Sequence, residues 1–192
     1  MVRHRQADDE WQYGPRSSRE VRETLLRLVL DFVVASRAVR GVERIALVGS
    51  LATDKPRPKD ADVMVFVSDI VDLPRLAKLA RRLHGRSHAI NSTADVFLVE
   101  AGSYIGRICH HRECHPRVSC RARSCGSKPH LNDDLDVVTI LSEMIAVPPI
   151  VLHPVVATVG KIPADVEELL AEPLRSNVLL PLTQAQADAP TP

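Results

Sequence analysis

The order of apolar and polar residues predicts alternating helices and strands in the first half of the chain. After Ser17 and Ser18, apolar side chains recur at helical spacing, which predicts a capped amphipathic helix over about 18–39. Leucines at helical spacing from 73 to 83, followed by Gly85 as a stop signal, predict a second helix. Short apolar runs rich in β-branched residues predict three buried strands, at 44–49, 62–67 and 95–100.

The second half of the chain predicts further helices and one more strand. Asn132 and Asp133 can cap a helix with an apolar face that ends before Pro148. A late strand is predicted at 150–153 and a short helix at 164–172. The fold class is therefore α/β (α+β). The sequence predicts a core at 18–105, a Cys/His/Arg-rich segment at 106–131 and a C-terminal helical region at 132–180. Disordered tails are predicted at 1–15 and 181–192.

Three aspartates stand at the beginnings of the second and third predicted strands. Asp60 and Asp62 are two positions apart, so their side chains project to the same side of a strand. Asp95 begins the third apolar run, and it joins the same cluster if the two strands are neighbours. Three carboxylates in a partly dry site repel one another unless a divalent cation neutralises them, and an all-oxygen donor set suits Mg²⁺ or Mn²⁺.

Gly49 and Ser50 end the first predicted strand, just before a stretch that can form a first helical turn. Glycine allows a ligand close to the backbone, and free N–H groups with a serine hydroxyl at a helix start favour a phosphate. A phosphate site beside a divalent metal predicts a nucleoside triphosphate (NTP) as ligand, with attack of a hydroxyl on its α-phosphorus. Asp95 is the natural group to activate that hydroxyl.

The chain contains, in this order, Gly49-Ser50, Asp60-x-Asp62 and Asp95. This order resembles the pattern of the nucleotidyltransferase superfamily of DNA polymerase beta, especially its minimal prokaryotic members. The resemblance covers roughly residues 25–100 and implies a short mixed sheet with helices packed on one face. It implies that Gly49 and Ser50 hold the triphosphate, that Asp60 and Asp62 bind two metal ions, and that Asp95 completes the metal site. Lys59 stands where many relatives have a small hydroxyl residue, and its loop either closes over the phosphates or is solvated.

The segment from 107 to 128 combines all four cysteines with an excess of positive charge. The cysteines, at the spacing C-x4-C-x5-C-x4-C, are Cys109, Cys114, Cys120 and Cys125. A structural Zn²⁺ is one interpretation, because the segment has few apolar residues to bury. Buried apolar cysteines are the second interpretation, and disulfides are the third. Six basic residues against Glu113 could contact a triphosphate or a nucleic-acid backbone, namely Arg107, Arg112, Arg117, Arg121, Arg123 and Lys128.

The composition of the chain predicts a globular protein. The chain is 45% hydrophobic and 26% charged, and it has neither an apolar run that spans a membrane nor an export signal, so a cytoplasmic location is expected. The leading hypothesis is a Mg²⁺-dependent nucleotidyltransferase that moves a nucleoside monophosphate from an NTP to a hydroxyl of a protein, an RNA or a small molecule. The chain's small size favours a macromolecular acceptor. The alternative is an inactive nucleotidyltransferase-like module that recognises nucleic acid or a protein through the basic Cys/His segment.

Overall fold

The computed structural model describes residues 17–111, 129–132, 147–155 and 161–178. The elements in these ranges are α1 (Ser18–Ser36), β1 (Val42–Val48), a 3₁₀ turn (Ser50–Ala52), β2 (Asp60–Val67), α2 (Leu73–His88), β3 (Thr93–Glu100), β4 (Ser103–Ile108), β5 (Leu131–Asn132), β6 (Ile150–His153), α3 (Ala164–Val166), a π-helical turn (Glu167–Ala171) and α4 (Glu172–Val178). The predicted helix after Asn132, the two tails and Cys114, Cys120 and Cys125 lie outside the described residues.

The described strands form one mixed sheet in the order β5-β4-β3-β2-β1-β6. The pair β2–β3 is parallel, and β1–β2, β1–β6, β3–β4 and β4–β5 are antiparallel. The α2 helix, which the sequence predicted between the second and third strands, provides the crossover between the two parallel strands. The mixed α/β fold class is therefore confirmed.

The first helix begins as its sequence predicts. The Ser17 hydroxyl accepts from the Glu20 N–H, and the Glu20 carboxylate accepts from the Ser17 N–H, which forms a capping box. The helix ends at Ser36, three residues before the predicted end at 39, because the chain turns there and the Val39 N–H donates to the Ser36 carbonyl.

The prediction that Gly85 ends the second helix is wrong. The α2 helix continues to His88, and the positive φ that follows belongs to Asn91, at 57°. Gly85 is exposed and helical, with open space where a Cβ would stand, while Leu83 and Ser87 continue the buried side of the helix. Burial of that side outweighs the low helix propensity of a single glycine.

The three predicted strands are present as β1, β2 and β3, and each begins two residues earlier than predicted. The predicted late strand is β6, and the predicted short helix continues to Val178. The sequence pattern does not predict β4, because Gly106 and Arg107 interrupt its apolar residues. This strand crosses residue 105, where the sequence suggested that the core ends.

The two faces of the sheet differ in what they carry. Alternate residues of β2, from Ala61 to Val67, belong to the main core together with Leu25 and Val29 of α1 and Leu76 of α2. The intervening positions carry Asp60, Asp62, Met64 and Phe66, which therefore point to the other face. Met64 forms a smaller buried cluster there with Val48 and Val99. The aspartates thus lie on the face opposite α1 and α2.

Candidate nucleotide and metal site

The β1 strand ends at a glycine that no other residue could replace without strain. Gly49 has φ 70° and ψ −155°, a region of backbone conformation that is essentially confined to glycine. A Cβ built on Gly49 would lie 2.4 Å from Asp62 Oδ2. The turn that starts at Ser50 is therefore packed directly against the Asp62 carboxylate.

The sheet register brings two of the predicted aspartates side by side. Asp62 of β2 is aligned with Val48 of β1 on one side and with Asp95 of β3 on the other. Neighbouring strands are about 4.8 Å apart, and aligned residues of adjacent strands point to the same face. Asp60 precedes Asp62 by one full pleat, so all three aspartates share this face and edge of the sheet.

The Asp62 carboxylate is difficult to ionise in the folded protein. Its residue is 7% exposed, and burial followed by the charges of Asp60 and Asp95 raises its pKa to about 7, although Arg107 opposes the shift. A carboxyl group that is buried among other carboxylates is the arrangement that a bound cation would relieve.

The Asp95 carboxylate has the opposite character. Its Oδ1 accepts hydrogen bonds from Arg107 Nη1 at 2.7 Å and from His110 Nε2 at 2.8 Å. Burial by itself would raise its pKa, but the hydrogen bond from His110 and the charge of Arg107 outweigh burial, so the pKa of Asp95 is lowered. The protein therefore supplies its own positively polarised partners to Asp95.

A second histidine supports His110 from the α2 helix. The His84 ring stacks on the His110 ring with centroids 3.6 Å apart, and His84 Nδ1 lies 3.2 Å from the Ala94 carbonyl oxygen. Burial, followed by the proximity of His110, lowers the pKa of His84, which favours its neutral form. Arg107 and His110 belong to the Cys/His/Arg-rich segment of the sequence, and the pairing of β4 with β3 brings this part of the chain beside the strand that carries Asp95.

The turn after Gly49 adjoins the remaining aspartate. Ser50 Oγ donates to Asp60 Oδ1 at 3.3 Å, and Thr53 Oγ1 donates to the Ser50 carbonyl at 2.8 Å. Within this turn the Ala52 N–H donates to the Gly49 carbonyl and the Thr53 N–H donates to the Ser50 carbonyl, and the N–H groups of Ser50 and Leu51 precede these two hydrogen bonds. Lys59 is exposed at the end of the loop.

The local sequence pattern does not predict that Arg22, a charged residue of this region, is buried. Arg22 of α1 is 6% exposed, and its guanidinium contacts the carbonyl oxygens of Leu51 and Lys55 in the loop after Ser50. An arginine at a helical position next to Leu25 and Leu26 resembles any charged residue at the border of an apolar face. Its partner Asp165 is too distant in sequence to be recognised from spacing.

The donor set fits a divalent cation in part. Among the described residues, no group of three or more His, Cys, Asp and Glu side chains is arranged to hold a metal ion. Asp60 and Asp62 offer carboxylate oxygens on one side of β2, where burial and then the charges of Asp60 and Asp95 raise the pKa of Asp62. Asp95 is already paired with Arg107 and His110, so the three carboxylates do not converge as equivalent ligands.

Of the four cysteines, Cys109 is within the described residues. It is buried and free, and its N–H donates to the His130 carbonyl at 2.8 Å. Arg81 Nε also donates to the Cys109 carbonyl, at 2.9 Å. Zinc binding through all four cysteines stays a prediction, since the other three lie outside the described ranges.

No family model, curated protein or solved structure matches this chain. None of the described helices is long and apolar enough to cross a lipid bilayer.

Proposed function

We propose that the chain is a metal-dependent nucleotidyltransferase that transfers a nucleoside monophosphate from an NTP to a hydroxyl acceptor and releases pyrophosphate. The observation that carries the proposal is the alignment of Asp62 with Asp95, with Gly49 packed against Asp62. A turn suited to phosphate and a pair of coupled carboxylates on one edge of a sheet are the elements this chemistry requires.

The residues of the chain take distinct parts in this reaction. The N–H groups and hydroxyl of the Ser50 turn would bind the phosphates, and Asp60 and Asp62 would hold Mg²⁺. The bound ion would neutralise phosphate oxygens and the charge that develops on the leaving pyrophosphate. As the acceptor oxygen bonds to the α-phosphorus, the bond from that phosphorus to the bridging oxygen of pyrophosphate breaks. The hydroxyl proton passes to Asp95 and on to water.

The character of Asp95 refines its part in the reaction. Its lowered pKa makes it a weak base but a reliable hydrogen-bond acceptor at neutral pH. Arg107 and His110 bond to Oδ1, so the acceptor hydroxyl would be oriented by Oδ2. Orientation is therefore the larger contribution that we assign to Asp95.

The direct experiment uses each NTP labelled at the α-phosphate, with Mg²⁺, in the presence of cellular RNA, protein extract or small-molecule hydroxyl acceptors. Transfer of label by the wild type, and its loss in Asp60→Asn and Asp62→Asn, would support the proposal. Asp69→Asn is the matched control, because Asp69 is an exposed aspartate just beyond the end of β2. Absence of transfer to every acceptor class, or transfer that survives Asp62→Asn, would contradict it.

The pairing of Asp95 with Arg107 and His110 also supports a second candidate. A site whose third carboxylate is already neutralised fits a catalytically inactive module that binds nucleic acid or a protein through its basic segment. Binding of RNA or DNA that weakens steeply with salt and persists in Asp60→Ala, together with an absence of label transfer, would favour this candidate.

A further inference from the structure

A single buried guanidinium joins three separate parts of the chain near the candidate site. Arg22 Nη1 donates to the Lys55 carbonyl at 3.1 Å, and Nη2 donates to the Leu51 carbonyl at 3.4 Å. Nη2 also donates to Asp165 Oδ1 at 3.0 Å, and Nε donates to Asp165 Oδ2. Arg22 therefore connects α1, the loop after Ser50 and the beginning of the C-terminal helices.

The chemistry of these contacts requires arginine in particular. The Arg22 side chain is 8% exposed, and a charge buried to that extent needs a counter-ion and partners for its N–H groups. Asp165 supplies the counter-ion in a bidentate arrangement, and the hydrogen bond from Arg22 lowers the pKa of Asp165. The guanidinium is wide enough to reach the two carbonyls as well, whereas a lysine ammonium is a single point of donation.

The two carbonyls lie within and just after the turn that the proposed function assigns to the phosphates. Leu51 lies within the 3₁₀ turn that starts at Ser50, and Lys55 lies three residues after that turn ends. The Leu51 carbonyl belongs to the peptide unit that directly follows the one carrying the Leu51 N–H, so its contact with Arg22 restrains the 3₁₀ turn, and the contact with the Lys55 carbonyl restrains the chain after it. The loop is thus held from the core side while its hydroxyl side faces Asp60.

We propose that Arg22 is a positioning residue for the phosphate-binding turn, and that Asp165 makes the C-terminal helices part of the nucleotide site. The identity of the ligand rests on the proposed function, whereas the clamping of the loop rests on the Arg22 contacts alone.

The test compares Arg22→Lys and Arg22→Met with the wild type by two measurements. Hydrogen exchange of residues 50–58 reports the order of the loop, and titration with Mg²⁺ and the α,β-methylene analogues of the four NTPs reports affinity. Both variants should exchange roughly tenfold faster in this loop and bind the preferred analogue roughly tenfold more weakly, because small misplacements of binding groups have effects of this size. Measurements are made well below the melting temperature of each variant.

Arg175→Met is the matched control, since Arg175 forms an ion pair with Glu167 within the same C-terminal helices but is 40% exposed. It should leave loop exchange and analogue affinity within about twofold of the wild type, as exposed ion pairs contribute little. Asp165→Asn keeps the shape of the Arg22 partner and removes its charge, and it should change both measurements in the same direction as Arg22→Lys. If Arg22→Met does not fold, Asp165→Asn still tests whether the ion pair orders the loop.

Two results would overturn the positioning of the loop by Arg22. The first is a set of Arg22 and Asp165 variants with lowered melting temperatures but wild-type exchange at 50–58 and wild-type affinity, which would show a purely structural ion pair. The second is full retention of loop order by Arg22→Lys. If the wild type binds none of the four analogues, the proposed function fails instead, and loop exchange alone decides whether Arg22 clamps the loop.

Discussion

Replacing Gly49 by alanine should disturb both the stability of the protein and the geometry of its acidic cluster. The backbone at Gly49, with φ 70° and ψ −155°, costs a non-glycine residue about 1–3 kcal/mol. The new methyl group would also lie 2.4 Å from Asp62 Oδ2 and 3.3 Å from Asp62 Cβ and Cγ. Asp62 is 7% exposed, so it has little room to move, and such overpacking adds about 1–3 kcal/mol.

The expected loss of unfolding free energy for Gly49→Ala is therefore about 2–6 kcal/mol, measured by urea denaturation. Gly102→Ala is the matched control, because Gly102 has a φ of 79° but open space around a Cβ. Gly102→Ala should lower the unfolding free energy through backbone strain alone, by about 1–2 kcal/mol. In the double variant with Asp62→Ala, the loss caused by Gly49→Ala should shrink, since the nearest conflicting atom, Asp62 Oδ2, is removed.

The same substitution should also impair the proposed chemistry. Displacement of the Asp62 carboxylate should weaken Mg²⁺-dependent nucleotide binding in Gly49→Ala and leave it unchanged in Gly102→Ala. The reasoning is refuted if the two alanine variants lose equal stability, or if Gly49→Ala binds and transfers nucleotide like the wild type.

Three further predictions concern charge and local structure. Because the folded state holds a proton on Asp62 that the unfolded state has released, Asp62 should contribute a loss of on the order of 3 kcal/mol to the stability of the metal-free protein as pH rises from about 4 to about 7, measured as the difference in slope between denaturation of the wild type and of Asp62→Asn. Since Mg²⁺ binds the ionised carboxylate, its affinity by calorimetry should be about tenfold higher at pH 8 than at pH 6, and an affinity independent of pH would contradict the role of Asp62. Gly85→Ala should raise the unfolding free energy by about 0.5–1 kcal/mol, because Gly85 is helical and has open space around a Cβ; a loss of stability would contradict the assignment of α2 through this position.

Sequence reasoning reached the parts of the fold that depend on local pattern. The Ser17 cap, the first three strands and the crossover helix follow from residue periodicity and hydrogen-bonding chemistry within a few positions. The prediction that Asp62 and Asp95 are neighbours depends on one assumption, namely that the two strands joined by a helix pair in parallel. The pairing of β2 with β3 meets this assumption. Each of these inferences uses interactions between residues that are close together in the sequence, or rules that apply to all β-sheets.

The contacts of the site were beyond the sequence because they join segments that are distant along the chain. Arg22 reaches Asp165 across 143 positions, and neither residue differs in local pattern from a solvated charge. Arg107 was assigned to a basic segment on composition, whereas its position in β4 directs it toward Asp95. Side-chain partners of this kind depend on strand order, which periodicity does not encode.

Strand order also explains why two aspartates at matching positions of parallel strands differ in pKa. Asp62 lies between Val48 of β1, which offers no charge, and Asp95 of β3, which repels it. Asp95 lies between β2 and β4, and β4 brings Arg107 while the residues after it bring His110. The β4 strand and the residues after it therefore neutralise the Asp95 carboxylate from within the protein, whereas β1 brings no positive charge to Asp62. The difference in pKa between the two carboxylates is therefore a consequence of strand order, and the hydroxyl-orienting and metal-binding parts that we propose for Asp95 and Asp62 depend on it.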